Sequence, residues 1–108
     1  MAKYCSTCGK EIHENAVRHG WWDDERSFPE IIALCHSELS EALEEDRKSK
    51  GMTIYFSEGK KPEGIPVEMA DCLIRILDWA GSHNLDMERI VELKHEYNKM
   101  RPYKHGKS

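Results

Sequence analysis

An apolar repeat between Pro66 and Gly81 limits the folds open to this chain more than any other feature. Its members recur three or four residues apart, which is the period of an α-helix: Val67, Ala70, Leu73, Ile74, Leu77 and Ala80. Pro66 suits a first helical turn and Gly81 suits a helix end, so a helix is predicted between them. Met69 and Ile76 widen its apolar arc beyond what one neighbouring helix can cover, which favours a subunit interface.

Two helices are predicted before this one. Residues 10–19 have helical potential and are followed by a glycine, which is a favourable C-cap. Ser27, Pro29 and Glu30 then form the pattern of a capping box with proline in the first turn. The second helix is therefore expected to cover residues 28–50, where another glycine ends it.

The remaining segments complete an all-α pattern. Residues 52–64 contain glycines and a proline around a short apolar patch, so they are predicted to form a loop or a brief hairpin. Asp86 is suited to cap a fourth helix that runs to about residue 100, and Pro102 closes it. The prediction for these 108 residues is a short bundle of about four helices that packs with a second subunit, as a homodimer or a dimer of dimers.

Charge and hydropathy exclude several classes of protein. The 20 Asp and Glu outnumber the 16 Lys and Arg, and the net charge of -4 argues against binding nucleic acid or an anionic membrane through bulk electrostatics. No N-terminal apolar run resembles a signal peptide, and no stretch has the length to cross a bilayer. A cytoplasmic protein with neither kind of partner is therefore expected, and any phosphate that it binds must be met by local charges.

A single Cys-x-x-Cys pair, Cys5 and Cys8, opens the chain. Such a pair is half of a zinc knuckle, and no second pair follows it. Zinc at Cys5 and Cys8 would require His13 and His19, or the cysteines of a second subunit, to complete the ligand set.

The other two cysteines, Cys35 and Cys72, lie inside apolar periodic segments and are expected to be core thiols. The Cys-x-x-Cys pair has no place in the predicted bundle. The chain is therefore divided into an N-terminal extension, residues 1–10, and a helical domain, residues 11–108, that ends in a basic tail.

Two pairs of carboxylates lie on the predicted second and third helices. Glu38 and Glu41 are three residues apart, and Glu68 and Asp71 have the same spacing, so the members of each pair project side by side. Glu38 and Asp71 border the apolar stripes of their helices, so all four carboxylates converge if the helices pack antiparallel. Solvated helix charges usually have basic partners three or four residues away, but only Asp71 has one, Arg75. A hard divalent cation would remove the repulsion within each pair.

Magnesium is the expected ion, with manganese as a substitute, because it prefers oxygen ligands and is usually held by one or two carboxylates together with phosphate. A di-iron site would need Glu-x-x-His on two helices. The one instance, Glu92 to His95, points away from the apolar face of the fourth helix. The acidic residues therefore predict a magnesium centre.

A polar stripe is predicted on the fourth helix. Lys94, Asn98 and Arg101 lie at positions i, i+4 and i+7, within the same arc as the apolar residues Ile90 and Tyr97, so they are expected to face inward. Buried cations need partners, so the stripe is expected to meet carboxylates or an anionic ligand unless its ends reach out to solvent. Beside an acidic metal site, a triphosphate would satisfy both the metal and the stripe.

Three ordered motifs resemble those of the MazG-like all-α nucleoside triphosphate pyrophosphohydrolases, over residues 12–107: Glu38-Leu39-Ser40-Glu41-Ala42, Glu68-Met69-Ala70-Asp71, and the stripe Lys94, Asn98 and Arg101. The resemblance implies that the four acids hold magnesium and that the stripe contacts the phosphates of the substrate. It also implies that water attacks the α-phosphorus and pyrophosphate leaves. The activity implied is hydrolysis of ribo- or deoxyribonucleoside triphosphates, which suits the clearing of unwanted nucleotides.

Trp21 and Trp22 are candidates for the base pocket of such an enzyme, because a tryptophan face stacks on any nucleobase. The alternative is that both cover the helical core. Two other functions also stay open at this point: a non-catalytic, zinc-binding helical interaction module, and a helical nucleotide sensor with a degenerate site.

Overall fold

The structure of the chain, a computed structural model, describes residues 6–102. Over this range the chain is mostly helical, with four α-helices and one small antiparallel sheet of two strands. The elements in chain order are α1 Ser6–Arg18, α2 Phe28–Arg47, β1 Tyr55–Phe56, a short 3-10 helix Glu58–Lys60, β2 Pro62–Glu63, α3 Ile65–Ser82 and α4 Met87–Lys99. The predicted helical class and the brief hairpin after α2 are confirmed. Cys5 and the basic tail over 103–108 lie outside the described residues.

The first helix begins earlier than predicted. α1 starts at Ser6, so Cys8 lies within a helix that packs along α3. These two helices approach closely at Gly9 and Gly81, since a Cβ atom on Gly81 would lie 2.5 Å from the Gly9 carbonyl oxygen. The prediction that Gly81 ends the third helix is wrong: this glycine permits the close approach, and α3 continues to Ser82.

Local signals set the start of α2. The Ser27 hydroxyl accepts a hydrogen bond from the backbone amide of Glu30 at 3.3 Å, which is the predicted cap. The Glu30 carboxylate, however, accepts a hydrogen bond from Arg26 Nη1 at 2.6 Å, so it turns away from the reciprocal half of the capping box. α2 ends at Arg47, earlier than predicted, with Lys48 as its C-cap.

α2 and α3 pack against each other at the centre of the fold. Ile31 and Cys35 of α2 form a buried cluster with Cys72 of α3. The partly buried side chains that pack on this cluster are Trp22, Ile76 and Trp79. Further along α2, Glu41 lies beside Glu68, which precedes Cys72 in α3, so the two helices run in opposite directions. This antiparallel packing is the condition under which the carboxylates were predicted to converge.

The hairpin is attached to both helices. Tyr55 pairs with Glu63 across the strands, and its hydroxyl donates a hydrogen bond to the buried Glu45 of α2 at 2.6 Å. Gly64 joins the hairpin to α3 with a φ of 121°, and a Cβ atom there would collide with the Thr53 carbonyl oxygen, so the turn requires glycine. The hairpin is thereby held beside the end of α2 and the start of α3.

α4 is the least packed of the four helices. Asp86 caps it as predicted, by accepting a hydrogen bond from the Arg89 backbone amide at 3.1 Å. The helix packs lightly against α1 and contains no buried residue. Many large apolar side chains of three helices are exposed: Phe28, Ile32, Leu39 and Leu43 of α2, Met69, Leu73 and Ile74 of α3, and Ile90, Val91, Leu93 and Tyr97 of α4. None of the described helices has the length and apolar character needed to cross a membrane.

Candidate metal centre

Three glutamates converge where α2 packs against α3, and we refer to Glu38, Glu41 and Glu68 as the acidic cluster. Each offers one carboxylate oxygen, and the three oxygens lie within 4.8 Å of one another. The first two stand one turn apart on α2, and the third reaches them from the first turn of α3. Asp71 is partly buried and lines the adjoining groove. The structure therefore brings three of the four predicted carboxylates together, with Asp71 at the edge of the cluster.

Glu68 has the most perturbed surroundings in the acidic cluster. Burial, followed by the negative charges of Glu41 and Asp71, raises the pKa of Glu68 from 4.5 to about 7. Its Oε2 atom is buried and has no hydrogen-bond partner among the described residues. A buried acceptor without a donor is costly, and a bound cation would remove that cost. These features distinguish Glu68 from an ordinary solvated helix charge.

Glu38 is linked to α3 by an arginine. Its side chain is 12% exposed, and its Oε2 accepts a hydrogen bond from Arg75 Nε at 3.2 Å. The pKa of Glu38 is raised overall, by burial and by a hydrogen bond with Glu41, although Arg75 opposes this rise. The sequence offered Arg75 as the partner of Asp71 on the same helix. In the folded chain the arginine instead joins the two helices at the acidic cluster.

A groove of about 320 Å³ opens beside the acidic cluster. Its walls come from α2, the hairpin and the start of α3, and are formed by Glu41, Glu44, Glu45, Lys48, Lys61, Pro62, Glu63, Glu68 and Asp71. The two lysines were not among the predicted site residues. Lys48 Nζ forms an ion pair with Glu45 Oε2 at 2.9 Å. Lys61 lies in the hairpin, directly before β2. No sequence signal places Lys61 here, because a loop has no periodicity that fixes its direction.

The basic stripe of α4 does not face the core of the chain as predicted. Lys94 is exposed, and Asn98 and Arg101 are only partly buried. The Lys94 Nζ and Arg101 Cζ atoms lie 5.0 Å and 5.5 Å from the ring centre of Tyr97. Lys94 and Tyr97 belong to α4, and Arg101 follows the end of this helix. The expectation of an inward stripe is wrong for this chain because α4 packs too lightly to bury any face. The Oδ1 atom of Asn98 is nevertheless buried, without a hydrogen-bond partner in the described part of the chain.

Trp21 lies against two arginines. The guanidinium carbons of Arg75 and Arg26 are 3.9 Å and 4.2 Å from its ring centre, which are cation–π distances. The indole Nε1 atom is buried and has no partner within residues 6–102. A nucleobase that stacked on this ring would compete with the guanidinium groups already there.

Trp22 packs on the helical core. It covers the buried cluster between α2 and α3, and its Nε1 donates a hydrogen bond to Asp78 at 3.0 Å. His13 Nδ1 donates to the same carboxylate at 2.8 Å, and the His13 ring meets the Trp22 ring edge-on. Of the two roles considered for Trp22, this packing supports the structural one.

The structure describes only some of the predicted zinc ligands. Cys5 lies outside the described residues, and Cys8 is a partly buried residue of α1. Both histidines considered as further ligands use Nδ1 for other contacts: His13 as described above, and His19 with the Asn15 carbonyl oxygen at 2.8 Å. Zinc binding by the Cys-x-x-Cys pair stays a prediction.

The donor set at the acidic cluster fits magnesium. All of its ligand atoms are carboxylate oxygens, and one or two carboxylates suffice when phosphate and water supply the other ligands. A divalent cation would give a partner to Glu68 Oε2, which has none among the described residues, and would oppose the rise in the pKa of this acid. The adjoining groove has two lysines on its walls. The acidic cluster can therefore hold a divalent cation.

No family model matches this chain, and no curated protein or solved structure matches it. The resemblance to the MazG-like pyrophosphohydrolases thus rests on the three motifs in the sequence. The geometry adds an independent observation, because two of those motifs meet in space although a hairpin separates them along the chain.

Proposed function

We propose that this protein is a magnesium-dependent nucleoside triphosphate pyrophosphohydrolase, which converts a ribo- or deoxyribonucleoside triphosphate and water to the monophosphate and pyrophosphate. The convergence of Glu38, Glu41 and Glu68 carries the proposal. The Oε2 atom of Glu68 supports it, because this atom is buried without a partner among the described residues and a cation would supply one. The motif resemblance supports the reaction type. The activity would clear unwanted nucleotides in the cytoplasm.

The acids differ in how they would hold the ion. Glu38, Glu41, Glu68 and Asp71 would bind magnesium, or manganese in its place, and the bound ion neutralises phosphate charge and polarises a water molecule. Glu68 must lose its proton to act as a ligand, because its pKa is raised to about 7. Glu38 accepts a hydrogen bond from Arg75, and Glu41 is exposed at the groove.

Cations from two parts of the chain would hold the phosphates. Lys94, Asn98 and Arg101 are the candidates that the motif resemblance provides. The first two belong to the lightly packed α4, and Arg101 follows its end. Lys48 and Lys61 line the groove next to the acidic cluster. Positive groups at these places would offset the remaining phosphate charge and the charge that develops on the leaving pyrophosphate.

A homodimer, or a dimer of dimers, would complete the core. Large apolar side chains of α2, α3 and α4 are exposed, and the burial of such side chains against a second subunit would remove them from water. Light scattering after size exclusion is expected to give at least twice the mass of the chain. Leu73→Asp should favour the monomer, whereas Asn15→Asp adds the same charge at an exposed position of α1 and should not. A monomeric wild type would refute this part of the proposal.

The activity is tested by incubating the protein with magnesium and a panel of ordinary and modified nucleoside triphosphates. Chromatography should find monophosphate and pyrophosphate in equal amounts, and EDTA should stop their formation. In water enriched in oxygen-18, attack at the α-phosphorus puts the label in the monophosphate. Diphosphate with inorganic phosphate would refute the proposed position of attack, and no turnover of any nucleotide would refute the enzyme.

A further inference from the structure

Arg75 joins two features that the proposed function leaves separate, the acidic cluster and Trp21. Its Nε donates to Glu38 Oε2 at 3.2 Å, and its guanidinium carbon lies 3.9 Å from the ring centre of Trp21. The Arg75 and Glu38 side chains are 27% and 12% exposed, so solvent has limited access to their contact. A hydrogen bond from one edge and an aromatic ring over the guanidinium leave this group little freedom to rotate.

This contact controls the orientation of Glu38. A glutamate on a helix has several rotamers, and repulsion from Glu41 and Glu68 favours those that turn away from the acidic cluster. The hydrogen bond from Arg75 opposes that repulsion and fixes the carboxylate against α3. Partners of this kind orient the ligands of metal sites and contribute to their affinity.

We propose that Arg75 is a positioning residue, which holds Glu38 in the orientation that binds a divalent cation, and that Trp21 acts by fixing Arg75 instead of stacking on a nucleobase. The inference rests on the proposed function, because it requires the acidic cluster to bind metal. Neither residue belongs to the motifs that carry the family resemblance.

Arg26 provides a matched control. Its guanidinium carbon also lies over the Trp21 ring, at 4.2 Å, but its hydrogen bonds go to the Trp21 carbonyl oxygen and to Glu30. Arg26→Gln and Arg75→Gln therefore remove the same charged group from the same ring. Only the second change removes a contact with the acidic cluster.

The first test measures Mn²⁺ binding to the full chain without nucleotide, by titration calorimetry and by the electron paramagnetic resonance of free Mn²⁺. Arg75→Gln is expected to weaken binding about 10- to 100-fold, the usual effect of losing an outer-shell partner. Loss of a nearby positive charge would by itself strengthen cation binding, so weaker binding reports the lost orientation of Glu38. Arg26→Gln should leave the affinity unchanged.

The same titration tests Trp21. Trp21→Ala should weaken Mn²⁺ binding, and the double variant with Arg75→Gln should bind no more weakly than Arg75→Gln alone, because the tryptophan acts through the arginine. Arg75→Lys keeps the charge and loses the planar group, so its affinity should lie between those of the wild type and Arg75→Gln. If Arg75→Gln does not fold, Arg75→Lys and Trp21→Phe, which keeps an aromatic ring, supply the comparison.

Equal or tighter Mn²⁺ binding by Arg75→Gln would overturn the inference and leave the proposed function standing. Normal Mn²⁺ binding by Trp21→Ala, with a raised KM for nucleotide, would overturn the role of Trp21 and favour the base pocket. A wild type that does not bind Mn²⁺ would refute the metal centre itself, and with it the proposed function.

Discussion

Two acids of α3, Asp78 and Glu68, have opposite surroundings. Asp78 is 4% exposed, and its carboxylate accepts hydrogen bonds from Trp22 Nε1 at 3.0 Å and from His13 Nδ1 at 2.8 Å. Glu68 lies among other acids, and its buried Oε2 has no partner among the described residues. Both oxygens of Asp78 receive donors, whereas Glu68 Oε2 receives none from the described residues.

The difference separates a structural acid from a candidate metal ligand. The chain itself offsets the desolvation of Asp78, whereas at Glu68 the pKa rises to about 7 instead. Glu45 is another satisfied acid: hydrogen bonds from Tyr55 and Lys48 lower its pKa although it is 7% exposed. Of these three acids, Glu68 is the one with a buried oxygen that has no donor among the described residues, and a bound cation would give that oxygen a partner.

The largest loss of turnover is expected at Glu68 in the acidic cluster, and not at the other acids of the groove. Glu68→Gln should lower turnover by more than about 100-fold. The loss of a residue that only orients a metal ligand costs up to about 100-fold, and the loss of a ligand should cost more. Its free energy of unfolding should not fall, because the change removes a repelled charge. Glu44→Gln is the control, since Glu44 lines the same groove and pairs with Arg47. Equal turnover of the two variants in a magnesium-containing assay would contradict the comparison.

Asp78 is expected to behave in the opposite way. Asp78→Ala should lower the free energy of unfolding by roughly 2 to 3 kcal/mol, because Trp22 and His13 would both lose their acceptor. Urea unfolding measures this change, and Asp78→Asn, which keeps one acceptor oxygen, should lose less. Turnover per folded molecule should stay at the wild-type value. A selective loss of turnover in a stable Asp78 variant would place this acid in the site.

The raised pKa of Glu68 should make the free energy of unfolding depend on pH. Without divalent cations, the pKa of Glu68 is about 7 in the folded chain and 4.5 ordinarily, so the folded state holds a proton that the unfolded state has lost. The free energy of unfolding should therefore fall as the pH rises from about 5 to about 7. Urea titrations in EDTA measure this slope, and magnesium should offset it. The same slope in Glu68→Gln would assign it to another group.

The smallest expected effect concerns Glu45. Tyr55→Phe removes one of its two donors and leaves Lys48 in place, so the free energy of unfolding should fall by less than in Asp78→Ala. Turnover should change little, because Glu45 lines the groove without joining the acidic cluster. A loss of turnover comparable to that of Glu68→Gln would show that the hairpin contact belongs to the site.

Much of the helical pattern could be predicted because its signals are local. Ser27 and Asp86 cap helices by bonding to backbone amides three residues away, so the sequence alone locates those two starts. The same reasoning predicts that Gly81 ends the third helix, and that prediction is wrong. A glycine that ends a helix and one that permits close packing look alike until the neighbouring helix, here α1 at Gly9, is known.

The site was predictable to the extent that it depends on helical spacing. The Glu38 and Glu41 pair and the Glu68 and Asp71 pair follow from the period of a helix, and their meeting needs only antiparallel packing. Contacts between distant segments were not predictable. Nothing local directs Arg75 to the other helix.

The caps at Ser27 and Asp86 and the spacing of the acids could be predicted, because they depend on interactions within about one turn of backbone. The start of α1 and the ends of α2 and α3 could not be predicted in this way. Which acids receive hydrogen-bond donors depends on how the helices pack. Asp78 and Glu68 stand on the same helix, and their chemistry differs because one meets donors from α1 and the following turn while the other meets carboxylates from α2. Burial and neighbours set the pKa and the binding capacity of an acid, and both are properties of the packed chain.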